Sequence, residues 1–315
     1  MPQPDTVNVP PDVTAATGER AGATDNPRAI GWILASVVAA SAMVVAVRML
    51  SADISSPVIV LLRAALTIML LAPVLALSGR ARRQLRFSRP WLHVLRGGLI
   101  GIATNLGFYT LTRIPLATAS VLFFMAPVFA TILAIPVHGE KVGPRRWAAV
   151  GCGFLGAVII LRPDTGSLHP AMIAALGSSL TFAAALTLSR GLAIADGAFS
   201  GYFSAVVITA LLTLPFALPS LGLPASGIGL VSVGVLVAGG AVRGVADIQA
   251  YRLGEASVLA PIIYLRLVLI GLAGYLFFGE TPDAPTLAGA AIIILATLYI
   301  ARRETRAGKA ENRRG

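Results

Sequence analysis

The sequence predicts an all-α integral membrane protein with ten transmembrane helices arranged as two inverted five-helix repeats. Three observations carry this prediction: the scarcity of charge, a series of long apolar runs, and a self-similarity at an offset of 142 residues. Of the 315 residues, 56% are hydrophobic and only 12% are charged, which is about half the charged fraction of an ordinary soluble domain. Because so little charge cannot cover a surface that faces water, lipid must cover much of it.

Ten apolar runs are long enough for membrane-spanning helices, which need about 20 mainly apolar residues to cross the hydrocarbon. The runs are continuously apolar, whereas the strands of a membrane barrel alternate polar and apolar residues. The fifth run is the shortest. The runs lie near residues 30–50, 57–77, 92–111, 115–137, 147–162, 170–190, 200–218, 228–250, 256–278 and 285–301.

The two ends and the loops predict the orientation. Residues 1–28 are rich in Pro, Thr, Asp and Ala, so we expect a disordered cytoplasmic tail. With that tail inside, eighteen Lys and Arg residues face the cytoplasm, and only Arg48, Arg113 and Arg162 lie in loops on the other side. This asymmetry predicts that both termini are cytoplasmic, and we expect a multi-pass protein of a bacterial-type inner membrane. The basic residues occupy short loops and Lys is rare, so the positive net charge does not indicate a nucleic-acid partner.

The internal repeat relates the two halves of the chain. A constant offset of 142 residues aligns Arg48 with Arg190, Pro73 with Pro215, Gly97-Gly98 with Gly239-Gly240, Asn105 with Asp247, and Tyr109 with Tyr251. A two-residue shortening then aligns Gly139-Glu140 with Gly279-Glu280. We therefore predict a first repeat at 29–163, a second at 168–303 and a basic cytoplasmic tail at 304–315. An odd number of spans in each copy inverts the second copy, an arrangement typical of transporters with a site between the halves.

The third span of each repeat carries a polar stripe, because residues four apart share one face of a helix. Asn105 and Tyr109 belong to the first stripe, and Arg243 and Asp247 belong to the second. Charges in the membrane are costly and face the interior of a bundle, so we expect both stripes to line an inner cavity. Arg243 and Asp247 are spaced for an ion pair, which is either structural or a site where a proton or substrate competes.

Other polar residues of the spans lie within a helix or near its ends. Arg266, with Tyr264 nearby, suits an anionic or planar substrate, or else pairs with another helix. Arg96 and His93 lie near the cytoplasmic boundary, where we expect the arginine to reach the headgroups and the histidine to be interfacial. Glu280 ends an apolar helix with no cation beside it in the sequence, although a carboxylate at a helix C-terminus needs a partner.

Several of these features together resemble a known family. The chain resembles the EamA-type transporters of the drug/metabolite transporter superfamily in its ten spans in two copies. The supporting segments are Arg63 in the second span, Pro127 to Glu140, "GYLFFGETPD" at 274–283 and "RRE" at 302–304. The resemblance covers about residues 30–303. One departure is Leu267, which stands where the first copy has Pro127, and Pro261 is the alternative bend of the ninth span.

The resemblance implies a secondary transporter that moves a small organic metabolite, such as an amino acid, a vitamin or a nucleotide-like compound, by alternating access. It implies a cavity enclosed by helices three, four, eight and nine, with help from one and six. The expected lining is Asn105, Tyr109, Arg243, Asp247, Tyr264 and Arg266. We expect structural or gating roles for Arg63, Glu140 and Glu280.

The partners and the competing functions follow from the same residues. We expect the lipid bilayer and a small-molecule substrate as partners, with a proton or counter-substrate as the coupling species. Three histidines and one cysteine leave little for a metal site or nucleophilic catalysis, and no catalytic or ATP-binding motif is present, so we expect neither an enzyme nor a cofactor. The alternatives are a non-transporting membrane scaffold and a channel-like protein.

Overall fold

The computed structural model describes residues 25–138, 143–162, 168–254 and 256–311, and these ranges contain helices and short connections without a strand. The helices are α1 (Asn26–Leu50), α2 (Ser56–Leu77), α3 (Gly79–Gln84), α4 (Pro90–Arg113), α5 (Leu116–Phe123), α6 (Ala126–His138), α7 (Pro144–Leu161), α8 (Pro170–Ala217), α9 (Gly227–Leu253), α10 (Ala256–Ile263), α11 (Leu265–Phe278) and α12 (Ala284–Glu311). A short 3-10 helix, Leu218–Ser220, follows α8. Each apolar run of the sequence falls on one of these helices or on a pair of them.

Local chemistry explains where several helices begin. Asp25 caps α1 by accepting a hydrogen bond from the backbone N–H of Arg28, and Pro27 stands in the first turn, where its missing N–H costs nothing. Helices α2, α4, α7 and α8 also have a proline in their first turn. The proline therefore marks the start of helices in both halves of the chain.

Three helical runs are interrupted. The fourth predicted span is divided into α5 and α6 at Phe124 and Met125, directly before Pro127, and the ninth is divided into α10 and α11 at Tyr264. Helix α8 contains two predicted spans. Gly197 lies between them and interrupts the helix with a φ of +82°, a value that other residues rarely adopt. The bend of the ninth span therefore lies three residues after Pro261.

The surface of the bundle is apolar. Seven helical segments of the described chain are long and apolar enough to cross a membrane, and Trp147–Leu161 and Ala284–Ile300 are shorter apolar helices. Large hydrophobic side chains such as Leu77, Ile228 and Phe277 are exposed on the outside of these helices. Such a surface requires lipid rather than water, so the chain is a multi-pass membrane protein.

The helices pack in a small number of extensive contacts. Helix α1 packs against α9, α4 packs against α8, and α7 packs against α12. Further contacts join α5 and α6 to α8, and α10 and α11 to α1. Buried clusters fill the spaces between them, one around Leu50, Ile59 and Leu116 and another around Met125 and Ile293.

Glycines allow the closest of these approaches. A Cβ at Gly289 of α12 would lie 2.6 Å from the carbonyl oxygen of Gly156 in α7 and 2.5 Å from Cγ1 of Ile160. A Cβ at Gly156 would in turn lie 2.9 Å from the carbonyl oxygen of Gly289. The backbones of α7 and α12 are therefore in contact, as in other membrane helix pairs with small residues at the interface.

The α7–α12 contact gives a direct test of this packing. Gly289→Ala should lower the thermal unfolding temperature in detergent, because the new methyl group forces two backbones apart at a cost of about 1–3 kcal/mol. Gly271→Ala is the matched control, since a Cβ there meets nothing within 4 Å and alanine favours a helix. Equal unfolding temperatures for the two variants would contradict the close approach.

Candidate functional site

A cavity of about 320 Å³, here called the central cavity, lies between α1, α2, α4, α5, α6, α8, α9 and α11. This volume is in the range of small-molecule sites. Three arginines line it, namely Arg63, Arg243 and Arg266, and three aromatic rings, those of Phe108, Phe123 and Phe182. A larger space of about 600 Å³ between α1, α9 and α11 has no charged residue in its lining. Of these two spaces, the central cavity is the one whose lining can bind a charged or polar ligand.

The predicted ion pair of α9 is present at this site. The Nε atom of Arg243 lies 3.5 Å from Oδ2 of Asp247. The hydroxyl of Ser36 in α1 donates a short hydrogen bond to Oδ1 of the same carboxylate. Asp247 is therefore held from two helices, and its charge is offset by one arginine.

Arg266 lies in a different environment at the start of α11. Its guanidinium carbon is 5.3 Å from the centroid of the Phe124 ring, a cation–π distance. That ring stacks on Tyr264 with centroids 5.0 Å apart, and the Tyr264 hydroxyl donates to Thr297 of α12. Tyr264 thus fixes the aromatic support of Arg266 and is not itself in the lining of the central cavity.

Arg63 connects the central cavity with a second one. A side cavity of about 170 Å³ between α2, α4 and α8 shares Arg63, Ile100 and Thr104 with the central cavity. The guanidinium carbon of Arg63 lies 5.9 Å from the centroid of the Phe108 ring. The side cavity is also lined by Arg96, so arginines line two neighbouring spaces along α4.

The first polar stripe is positioned differently from the second. The amide nitrogen of Asn105 donates to the carbonyl of Gly101 at 2.9 Å and to the hydroxyl of Thr213 in α8 at 2.7 Å. Tyr109 packs among apolar residues, and its ring lies 5.7 Å from the guanidinium carbon of Arg113. Neither is in the lining of the central cavity, where Phe108, Gly107 and Thr104 of the same helix stand instead.

Glu280 has a partner, as its position at the end of a helix predicts, and that partner is an arginine distant in the sequence. Its Oε1 lies 3.3 Å from Nη2 of Arg48, and its Oε2 accepts a hydrogen bond of 2.7 Å from the backbone N–H of Leu116. Arg48 also donates to the carbonyl of Leu111 at 3.2 Å. This set, here called the Arg48–Glu280 clamp, joins α1, the last turn of α4, the start of α5 and the end of α11. Glu140, which the repeat aligns with Glu280, lies outside the described residues.

The same end of the bundle carries a second charged contact. Asp283 pairs with Arg162, and the backbone N–H of Thr286 donates to its Oδ1 at 2.9 Å. Hydrogen bonds from Thr286 and the nearby Arg162 hold the pKa of the Asp283 carboxyl below its ordinary value. The carboxylate therefore stays charged and keeps the start of α12 beside the end of α7.

At the opposite end of the bundle, His93 and Arg96 are turned inward, which corrects their predicted interfacial positions. His93 is buried, with Nδ1 2.8 Å from the Ser204 hydroxyl and Nε2 3.0 Å from Oδ2 of Asp196. Nε of Arg96 donates to the Ser189 hydroxyl at 2.7 Å, and Nη1 donates to the carbonyl of Gly201 at 2.9 Å. The polar groups of both α8 segments, which flank Gly197, satisfy these side chains instead of the headgroups.

Some residues of the site have no signal in the sequence. Ser36 is an ordinary serine in an apolar run, and Phe108 is one of many aromatic residues, so neither is distinguished by residue type. Arg48 did carry a signal, because the repeat aligns it with Arg190 and a charge at a span end needs a partner. Pairing it with Glu280 required the three-dimensional structure, since the two are 232 residues apart.

Known proteins are similar to this chain in sequence and in fold. Residues 27–162 match the EamA-like transporter family. The chain is 33% identical over 278 residues to the S-adenosylmethionine uptake transporter of Rickettsia felis, covering 88% of this chain and 94% of that protein. It is 31% identical over 264 residues to the riboflavin transporter of Vibrio cholerae, with coverages of 81% and 86%. A solved crystal structure superposes with a TM-score of 0.55 at 18% identity, over 88% of this chain and 98% of that one, which is a likeness of fold alone.

The Arg48–Glu280 clamp can be tested without a ligand. Glu280→Gln should lower the free energy of unfolding by roughly 1–3 kcal/mol, because it leaves a partly buried arginine without its counter-charge. The measurement is a double-mutant cycle with Arg48→Gln, read by thermal unfolding in detergent, with the exposed Arg113→Gln as the control partner. Effects of Glu280→Gln and Arg48→Gln that simply add would contradict the clamp, since a contact pair shows coupling.

Proposed function

The chain belongs to the EamA-like transporter family and is a small-metabolite transporter, and we propose that it is a secondary transporter whose central cavity lies between two inverted halves. The observation that carries the proposal is the placement of charged residues from α2, α9 and α11 around one cavity inside an apolar bundle. Charges at membrane depth mark substrate or ion pathways. No motif for ATP binding occurs in the sequence, so ion gradients or exchange drive the transport.

The helix contacts support two inverted repeats, 29–163 and 168–303. In the proposed repeat, α1 corresponds to the first part of α8, and α4 corresponds to α9. A two-fold rotation that exchanges the repeats therefore turns the α1–α9 contact into the contact between α8 and α4. The same operation relates the packing of α5 and α6 on α8 to the packing of α10 and α11 on α1, and it leaves the α7–α12 contact in place. All these contacts occur in the structure.

The two broken helices support the same symmetry. The alignment of Gly139-Glu140 with Gly279-Glu280 also aligns Phe124 with Tyr264, and these are the residues at which the fourth and ninth spans break. The two rings stack on each other. Residues related by a two-fold axis contact each other only near that axis, so the proposed axis passes close to this stack.

The polar contacts between loops support ten spans with both termini in the cytoplasm. Five residues that lie on the outer side in the predicted topology form two sets of contacts. Glu280 contacts Arg48 and Leu116, and Asp283 contacts Arg162. A total of ten spans requires that α4, α7 and α12 cross the membrane in addition to the seven long apolar segments. At 1.5 Å per residue the 24 residues of α4 extend about 36 Å, enough to span the hydrocarbon.

The transport cycle we propose is alternating access. In this proposal the Arg48–Glu280 clamp closes the outer end, and the side cavity, which shares Arg63 with the central cavity and is lined by Arg96, leads toward the cytoplasmic end. This form of the protein is therefore the one that exchanges substrate with the cytoplasm. Rocking of the halves would release the clamp and close the side cavity, which moves the substrate past a fixed site.

For the substrate we propose S-adenosylmethionine or a closely similar charged metabolite. The relative named for its uptake covers nearly the whole chain. The central cavity offers Arg63 and Arg266 for a carboxylate, and Asp247, the partner of Arg243, lies nearby for a cation. The aromatic rings of the lining suit an adenine ring. Riboflavin is the second candidate, since a riboflavin transporter is also a relative and a flavin ring would use the same aromatic lining.

The purified full chain in proteoliposomes tests this function. Uptake of labelled S-adenosylmethionine should saturate with concentration, and preloading with the unlabelled compound should accelerate it, because a carrier returns faster when loaded. The same measurement with labelled riboflavin decides between the two substrates. A scaffold would show no uptake above empty liposomes, and a channel would show fluxes without saturation or counterflow; either outcome would sink the proposal.

Asp247 gives a test of the coupling. We propose that a proton competes with Arg243 for this carboxylate, so Asp247→Asn should abolish the pH dependence of uptake. Asp283→Asn is the matched control, because it removes a carboxylate at the outer end that does not line the central cavity. If Asp247→Asn retains the full pH dependence of uptake, Asp247 is only the structural partner of Arg243.

A further inference from the structure

The charges around the central cavity are unequal. Three arginines line it, and Arg243 has its counter-charge in Asp247. In the ranges that the structure describes, no carboxylate lies within ion-pair distance of Arg63 or Arg266. Both guanidiniums instead face aromatic rings, those of Phe108 and Phe124. The cavity therefore carries two positive charges that protein carboxylates in the described ranges do not offset.

Arg266 also has an unused hydrogen-bond donor. Its Nε atom is buried and has no hydrogen-bond partner among the described residues. Buried polar atoms of proteins are almost always hydrogen-bonded, and a charged donor without an acceptor is the costliest exception. Phe124 contacts the guanidinium but accepts no conventional hydrogen bond, so this donor is available to an acceptor group on a bound molecule.

The broken helices add to the positive potential. Helices α6 and α11 both begin at the interruptions, at Ala126 and Leu265, and Ala126 and Arg266 line the cavity. The N-terminus of a helix carries a partial positive charge, and broken helices of transporters point such ends at anionic substrate groups. Two helix starts and two uncompensated arginines thus act on the same space.

We propose that the central cavity binds its substrate by an anionic group, a carboxylate or a phosphoryl group, held between Arg266 and Arg63. This inference rests on the proposed function and names the part of the substrate that the site recognises. The planar guanidinium of Arg266 can donate two parallel hydrogen bonds to such a group. The Arg243–Asp247 pair stays intact and accepts the cationic part of a zwitterion, while a purely cationic molecule is repelled by the two arginines.

Matched pairs of ligands test the inference on the wild-type chain. In each pair one member lacks the anion: decarboxylated S-adenosylmethionine against S-adenosylmethionine, and riboflavin against riboflavin 5′-phosphate. Equilibrium binding to the full chain in detergent should favour the anionic member of at least one pair by tenfold or more. The first pair tests recognition of a carboxylate, and the second pair tests recognition of a phosphoryl group. The comparison therefore shows which of the two anionic groups the cavity binds.

Variants then assign the preference to Arg266. Arg266→Gln should reduce the preference for the anionic member to less than about threefold, and Arg266→Lys should restore part of it, since lysine keeps the charge without the paired donors. Arg252→Gln is the matched control, because this exposed arginine at the end of α9 is not in the lining of the cavity. Melting curves and gel filtration show whether each variant is folded.

The outcomes separate this inference from the transport function. Equal affinity of both members in both pairs would overturn the inference, even if counterflow is observed. If no member binds and inorganic phosphate does not raise the melting temperature above that in chloride of equal ionic strength, the inference is also wrong. An anion preference that depends on Arg266, without flux in proteoliposomes, would instead support the binding site and contradict the transport function.

Discussion

The cost of a charge in hydrocarbon is the constraint on which this structure depends. An arginine or aspartate at the centre of a membrane helix costs about 2.5–3.5 kcal/mol even on the lenient insertion scale. Arg63, Arg243, Arg266 and Asp247 lie within apolar helices of this chain. Their presence fixes which faces of α2, α9 and α11 turn inward, and the positive charge of Arg63 and Arg266 is the basis on which we propose an anionic group in the ligand. The apolar residues on the other faces then meet lipid.

The same constraint explains the two ends of the bundle. At one end, the carboxylate of Glu280 holds both Arg48 and the N–H of Leu116, so that an arginine and the start of α5 are satisfied together. At the other, His93 and Arg96 bind hydroxyl and carbonyl groups on both sides of the Gly197 break. A transporter needs contacts of this kind. They stabilise one arrangement of the helices, and because they consist of few hydrogen bonds and ion pairs they can be replaced by other contacts in a second arrangement.

The positions of the helices could be predicted from the sequence, whereas the partners of individual side chains could not. The run predicted at 57–77 is helical from Ser56 to Leu77, because hydropathy is a local property. The ion pair of Arg243 and Asp247 was also predictable, since both lie on one helix four residues apart. Asn105 has the same spacing from Tyr109, but its amide donates to Thr213, 108 positions away on α8, and it is not in the lining of the central cavity. Glu280 likewise depends on a residue 232 positions away.

Access to Thr104 from the two sides of the membrane tests the alternating cavity most directly. Thr104 lines both cavities, and its hydroxyl bonds to the carbonyl of Ile100 in its own helix, so Thr104→Cys is a small change. In a Cys152→Ser background, a membrane-impermeant thiol reagent should label this cysteine from either face of oriented vesicles, and S-adenosylmethionine should protect it. Labelling from one face only, with and without ligand, would contradict a cavity that opens alternately to the two sides.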